Sequence, residues 1–277
     1  MTVLQDAPRQ QNGSVPRPRS PGVDLDAELP RYWLADNAWA THIANGVNML
    51  FPAGERFFVR SVNHYMDHVD DPHLKAQIKG FFGQEGRHAK EHERQLRQLE
   101  LQGYDVHRIL ALYERIAFGF LERVSPTSLA LATTAAAEHF TAIMAENALK
   151  SRLLDRAHPA MRQLLYWHAA EEIEHRAVAF DVLRKVNPSY GLRMAGLAMA
   201  SVCLTGFWAM AVTVLLTQDT ELEKRRLWDD FLAMRAVKER RAFLWKGIRS
   251  YMRPDFHPSQ ADIDHLAEEY LSSVGLA

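Results

Sequence analysis

From Tyr32 onward, apolar residues recur every three to four positions in long segments, and strand-like alternation is scarce. Proline and glycine punctuation, as at Pro72, Gly103, Pro126 and Pro159, falls between these segments. The pattern predicts an almost wholly helical chain. A first amphipathic segment covers Tyr32 to Leu50. Pro52, suited to a first helical position, opens a helix to about Val69. The turn Asp70–His73 leads into a long helix ending near Gly103, which suits a C-terminal cap. A connecting helix spans roughly Val106 to Val124. The next begins at Ser125–Ser128 and runs to about Leu154. After a turn at Asp155–Pro159, another helix ends near Val186, before "NPSYG".

Two helical hairpins joined by a helical crossover form the wiring of an all-α, ferritin-like four-helix bundle. Residues 29–190 are expected to build it. Residues 1–28, with proline, arginine and glutamine but no apolar run, read as a disordered tail. Arg17 and Arg19 are expected in solvent there, with contact to acidic lipid or a partner as the second reading. After the bundle, residues 191–218 form an apolar helix. Its segment Met194 to Gln218 carries no charge over 25 residues, enough to span a bilayer core at about 1.5 Å per residue. Its small residues favour a helix buried in the bundle or a homodimer, and membrane contact is the alternative. Residues 219–277 complete the chain with charged helical segments, the last capped by Ser259.

A net charge of −1 gives no basic field for nucleic acid. The single cysteine, Cys203, excludes an intrachain disulfide framework and fits a cytoplasmic, reducing compartment; in its apolar run it reads as a buried, inert thiol. The 13 histidines change the picture, because several sit among acids at helical repeats.

"WHAAEEIEH" places His168, Glu172 and His175 four and then three residues apart. Seven residues turn a helix by about 700°, some 20° short of two full turns, so the three share a face. Glu171 falls to one side. "GQEGRHAKEH" repeats the device with Glu85, His88 and His92. Glu55 and Glu85 each lie 15 residues from the turn at Asp70, so antiparallel packing brings them level. Glu138 and Glu172 lie 18 and 16 residues from the turn near Arg156, less than one helical turn out of step. The order is then Glu55, Glu85-x-x-His88, Glu138, Glu172-x-x-His175. One Glu from each of two helices and Glu-x-x-His from the other two is the ligand pattern of di-iron and di-manganese carboxylate bundles. Two nearby divalent ions repel, so bridging carboxylates must neutralise them while imidazoles complete each shell. His168 is either a further ligand or a hydrogen-bond donor to one; His92 reads more readily as an outer residue. His139, about 100° off the Glu138 face, and His64 and His68 are expected away from the site. The aromatics Phe57, Phe58, Phe81, Phe82, Phe140 and Trp167 read as core first and pocket lining second.

The blocks "FPAGERFF", "GQEGRHAKEH", "AAAEHFTAIMAE", "WHAAEEIEH" and "YMRPDFHP", spread over Asp36 to His257, resemble the predicted metal-dependent hydrolases with a ferritin-like fold. That resemblance implies a metal site more securely than a reaction. His168, Glu172 and His175 are also similar to the His-x-x-x-Glu-x-x-His block of the di-iron p-aminobenzoate N-oxygenases.

The expected activity is that of a di-iron oxygenase or oxidase, with manganese as the other fitting metal. O2 is its co-substrate, an external donor supplies electrons, and a small organic or apolar molecule is oxidised. Hydrolysis by a metal-activated water is the alternative, with a metal-storage or structural protein third.

Overall fold

In the computed structural model, residues 13–25, 27–222, 224–235 and 242–277 are described. Helix α1 (Ala38–Asn48) is capped by the Asn37 side chain, and α2 (Phe51–Asn63) carries Pro52 in its first turn. Helix α3 (Pro72–Leu101) follows Asp71, whose carboxylate caps it, and the chain leaves it through Gly103 at φ +91°. The crossover consists of α4 (His107–Ile116), a π-helical turn (Ala117–Leu121) and the short α5 (Glu122–Val124). Helix α6 (Thr127–Ser151) ends on Arg152 in the left-handed region. Then come α7 (Pro159–His175), α8 (Val178–Val186), α9 (Tyr190–Gln218), α10 (Lys224–Arg235), α11 (Ala242–Tyr251) and α12 (Asp264–Ser273). The only extended pairing among the described residues is an isolated bridge between Leu34 and Ala157.

The protein is all-α. Helix α2 packs on α3 and α6, and α7 and α8 pack on α6 and α3, so four helical columns enclose one axis. Among the described residues the core falls into four apolar clusters, the two largest flanking that axis. One is built on Phe81, Leu131, Phe140 and Phe180, and the other on Trp33, Met161, Leu164 and Trp167. Between them lie polar residues, which is where the site forms.

Five expectations change. The helix expected to end at Val186 breaks at Arg176, whose buried guanidinium bonds the Ile173 and Ala261 carbonyls and pairs with Asp264. No proline or glycine marks this break. Ser259 lies in a 3-10 turn (Pro258–Gln260), and α12 starts five residues later without a side-chain cap. Helix α9, long and apolar enough to cross a membrane by length and composition, is not a buried helix. One face packs on α6 and α1, while Ala198, Val202, Thr205 and Ala209 face outward. Cys203 is half-buried and lines a cavity rather than the core.

The fifth correction concerns the tail. Residues 1–12 and Asp26 lie outside the described residues, but 13–25 form a strap across α3 and α7. Gln77 and Gln98 donate to the carbonyls of Gly13 and Leu25, and Gln163 donates to that of Pro21. Val23 and Leu25 are buried. The close approach depends on Gly80, where a Cβ would lie 2.2 Å from the Pro16 carbonyl oxygen. A polar, proline-rich stretch lacks helical periodicity yet can dock extended, because neighbouring side chains satisfy its backbone.

Candidate metal centre

Helices α2, α3, α6 and α7 each turn polar residues toward the axis. Glu55, Glu85, His88, Glu138, His168, Glu172 and His175 are brought together there, each no more than 3% exposed. Charged groups so deeply buried need partners, because losing water without compensation is costly. Yet both carboxylate oxygens of Glu55, Glu85 and Glu138 lack a hydrogen-bond partner, as do Nδ1 of His88 and Nε2 of His175. His175 Nε2 approaches Glu85 at 3.0 Å, Glu138 at 3.3 Å and Glu172 at 3.5 Å. These contacts are close but lack hydrogen-bond geometry, and three carboxylates crowd one imidazole nitrogen.

Three groups have donor atoms within 4.8 Å of one another: Glu55, His88 and His168; Glu85, His88 and Glu172; and Glu85, Glu138 and His175. Glu85 belongs to two of them. The donor set is oxygen-rich with imidazole nitrogens, which suits iron or manganese and offers no thiolate. The residues therefore fit a pair of divalent ions.

The electrostatics agree. Burial, reinforced by Glu85, drives the Glu55 carboxyl well above its ordinary range. Burial together with Glu138 does the same to Glu85. Burial also pushes Glu138 up to about 7, against the opposing pull of His175. Burial acts to raise Glu172 as well, but His175 and His168 outweigh it and hold that carboxyl low. Burial and His168 keep His88 neutral, whereas Glu172 and Glu138 overcome burial to hold His175 protonated. Crowded acids sharing protons form a cluster that cations would relieve.

Outer residues fix the imidazoles. His88 Nε2 donates to Glu171 Oε2 at 3.0 Å in the tautomer that leaves Nδ1 facing the centre. His175 Nδ1 donates to the Gln84 amide oxygen at 2.9 Å, leaving Nε2 facing it. Carboxylate–histidine and amide–histidine pairs of this kind set the tautomer and orientation of metal-binding imidazoles. Glu171, off the inward face, thus has an outer place. Gln84, Glu174 and the strap's Arg19 have no signature in helical spacing. Arg19 is not in solvent: its backbone N–H donates to Glu171 and its guanidinium pairs with Glu174.

His168 Nε2 bonds Glu172 Oε1 at 2.8 Å and lies 3.7 Å from Glu55. His92 is fully buried, not a surface residue, and meets His168 Nδ1 at 2.6 Å. His139 points away from the site and bonds the Gly247 carbonyl, while His64 and His68 are exposed. Phe81, Phe140 and Trp167 pack in the core; Phe57 and Phe58 also line a cavity, and Phe82 is half-buried.

Two cavities meet the cluster. The first reaches Glu55 and runs between α2, the crossover, α6 and α9. The second reaches His168 and Glu172. Both are walled by aliphatic and aromatic side chains. Phe51, which packs on the rings of His92 and His168 at 4.7 and 4.6 Å, borders both.

The profile of the predicted metal-dependent hydrolases matches residues 17–262, from the strap to the loop before α12. No curated protein and no solved structure matches the chain. Matched over most of its length, the chain belongs to the predicted metal-dependent hydrolase family.

Proposed function

We propose that this family member is a ferritin-like, dinuclear carboxylate enzyme that holds two iron ions and uses O2 to oxidise an apolar organic substrate. Glu55, Glu85, His88, Glu138, Glu172 and His175 would hold the metals, with His168 at an adjoining position. The observation that carries the reading is the junction of this buried Glu/His set with cavities whose walls are apolar. Few polar groups stand ready to grip a hydrolysable head, whereas an inert chain fits. The bound metals would supply O2 activation, with electrons from an external donor. The protein's own part is to hold the imidazoles through Glu171 and Gln84, to shield the centre with Phe51, and to place the substrate against Glu55. On this reading it works in the cytoplasm as a homodimer.

The second reading is hydrolysis, in which two metals lower the pKa of a water; the family description favours it. Metal analysis with anaerobic reduction and O2 exposure separates the two. Two irons per chain and an optical change on O2 addition are expected. Iron-loaded protein that stays optically silent, together with oxygen-independent ester turnover under zinc or manganese, would establish hydrolysis instead.

A further inference from the structure

The lining residues of α6 in the first cavity are Ala130, Thr133, Ala137, Thr141 and Met144. Their spacing of three and four places them on one helix face. From Ala130 to Met144 that face is about 21 Å long at about 1.5 Å per residue. One leaflet of hydrocarbon in a bilayer is only about 15 Å thick. The floor is smooth, because four of the five side chains are alanine or threonine.

Opposite it stand Cys203 and Phe207 of α9 and Phe118 in the π-helical turn. Such turns recur at functional sites because they re-aim side chains. Among the described residues the only charged ones on the walls are Glu55, in the metal cluster, and half-buried Glu122, toward the crossover end. The first cavity measures about 130 Å³ and the second about 230 Å³.

The two cavities share Val47, Phe51, Thr141 and Met144. The second continues along α6 to Ala148, past His168 and Glu172. The Glu/His cluster thus borders the junction of two apolar arms instead of closing the end of one.

We infer that the substrate is a long-chain aliphatic compound that lies along α6 and presents an interior position to the metal centre, one apolar arm in each cavity. The inference rests on the proposed dinuclear site for its chemistry, but not for the binding itself. A compact aromatic molecule would occupy one arm at most, whereas a long chain can reach from the residues of the first cavity into those of the second.

Hexadecanoate is the probe, with benzoate and octanoate for comparison. Cys203 is the only cysteine in the chain, so thiol modification reports on the first arm. Hexadecanoate should slow modification of Cys203 by maleimide at least tenfold, and benzoate should not. Calorimetry should show Cys203→Trp and Ile43→Trp, one in each arm, each weakening hexadecanoate at least tenfold with metal content unchanged. Cys203→Phe and Ile43→Phe serve if a tryptophan variant fails to fold. No protection by hexadecanoate, equal protection by benzoate or octanoate, or a loss confined to one arm would overturn the inference. Hexadecanoate bound normally by protein unable to take up metal would uphold the chain site and sink the dinuclear one. Two bound metals without hexadecanoate binding would do the reverse.

Discussion

Both terminal nitrogens of Arg19 donate to the Glu174 carboxylate, at 2.7 and 2.9 Å, although 155 residues separate the two in sequence. The same carboxylate accepts from Gln84 Nε2 at 2.7 Å, and Gln84 in turn accepts from His175. Through its backbone N–H, Arg19 also reaches Glu171, the partner of His88. One strap residue therefore braces the outer partners of both Glu-x-x-His imidazoles. Arg19→Ala should weaken metal binding by about 10- to 100-fold, the usual effect of losing an outer partner. Arg19→Lys should recover only part, because lysine cannot make the paired contact. Competition with a chromogenic chelator measures this, and equal affinity in all three proteins would refute the brace.

Glu85 stands in two of the three donor groups, and Glu55 in one. Glu85→Ala should therefore reduce metal from two ions per chain to none, while Glu55→Ala should leave one. His139→Ala, whose ring faces Gly247 instead, should keep both. Elemental analysis of the purified variants reads this directly; a full metal complement in Glu85→Ala would remove the bridging role.

Helical spacing and turn counting were enough to bring Glu55, Glu85, Glu138 and Glu172 to one level, because antiparallel helices convert equal distances from a turn into equal heights. Gly103 and Pro52 marked helix ends for stereochemical reasons that do not depend on context. The strap was illegible for the opposite reason. Its order comes from side chains of α3 and α7, such as Gln98 and Gln163, that accept no prediction from the strap's own composition. The break at Arg176 depends on a loop more than 80 residues away. His92 was ambiguous because spacing alone cannot tell a buried neighbour such as His168 from water.

Acid should oppose metal uptake. Glu138 is pushed up to about 7 and Glu171 up to about 8, and Glu55 and Glu85 are raised as well, all with burial as the leading cause. At pH 6 these groups carry protons that must leave before metal enters, and so does His175, whose pKa is raised. Neutral His88 has none to lose. Apparent affinity should rise from pH 6 to 8, with more protons released per metal at the lower pH. For the metal-free protein the sign is reversed. A carboxyl with a raised folded pKa favours folding while protonated, and that contribution is lost as pH climbs from its unfolded value to about 7 for Glu138. Glu138→Gln should thus stabilise the metal-free protein at pH 8 while costing metal. Calorimetry in buffers of different ionisation enthalpy checks the proton count, and an affinity flat across this range would contradict it.

Helix α9 reaches the cavity only because it lies directly on α6. At Gly196, a Cβ would sit 2.4 Å from the carbonyl carbon and oxygen of Ala132 and 2.7 Å from its Cβ. Backbone atoms cannot rotate aside, so Gly196→Ala must push the two helices apart. Overpacking of this kind costs about 1–3 kcal/mol, a fall in melting temperature of roughly 3–10 °C for a chain of this size. Gly206, on the same helix, has nothing within 4 Å of a Cβ. There, alanine should stabilise by about 0.5–1 kcal/mol through helix propensity alone. The pair separates close approach from composition, since both changes add one methyl to α9. Met199, Ala200 and Cys203 follow Gly196 within two helical turns and wall the first cavity. Displacing α9 should therefore also weaken hexadecanoate binding in Gly196→Ala, while Gly206→Ala retains it. Thermal melts and calorimetry on both variants test this, and an inverted order of stability would mean that α9 does not rest on α6.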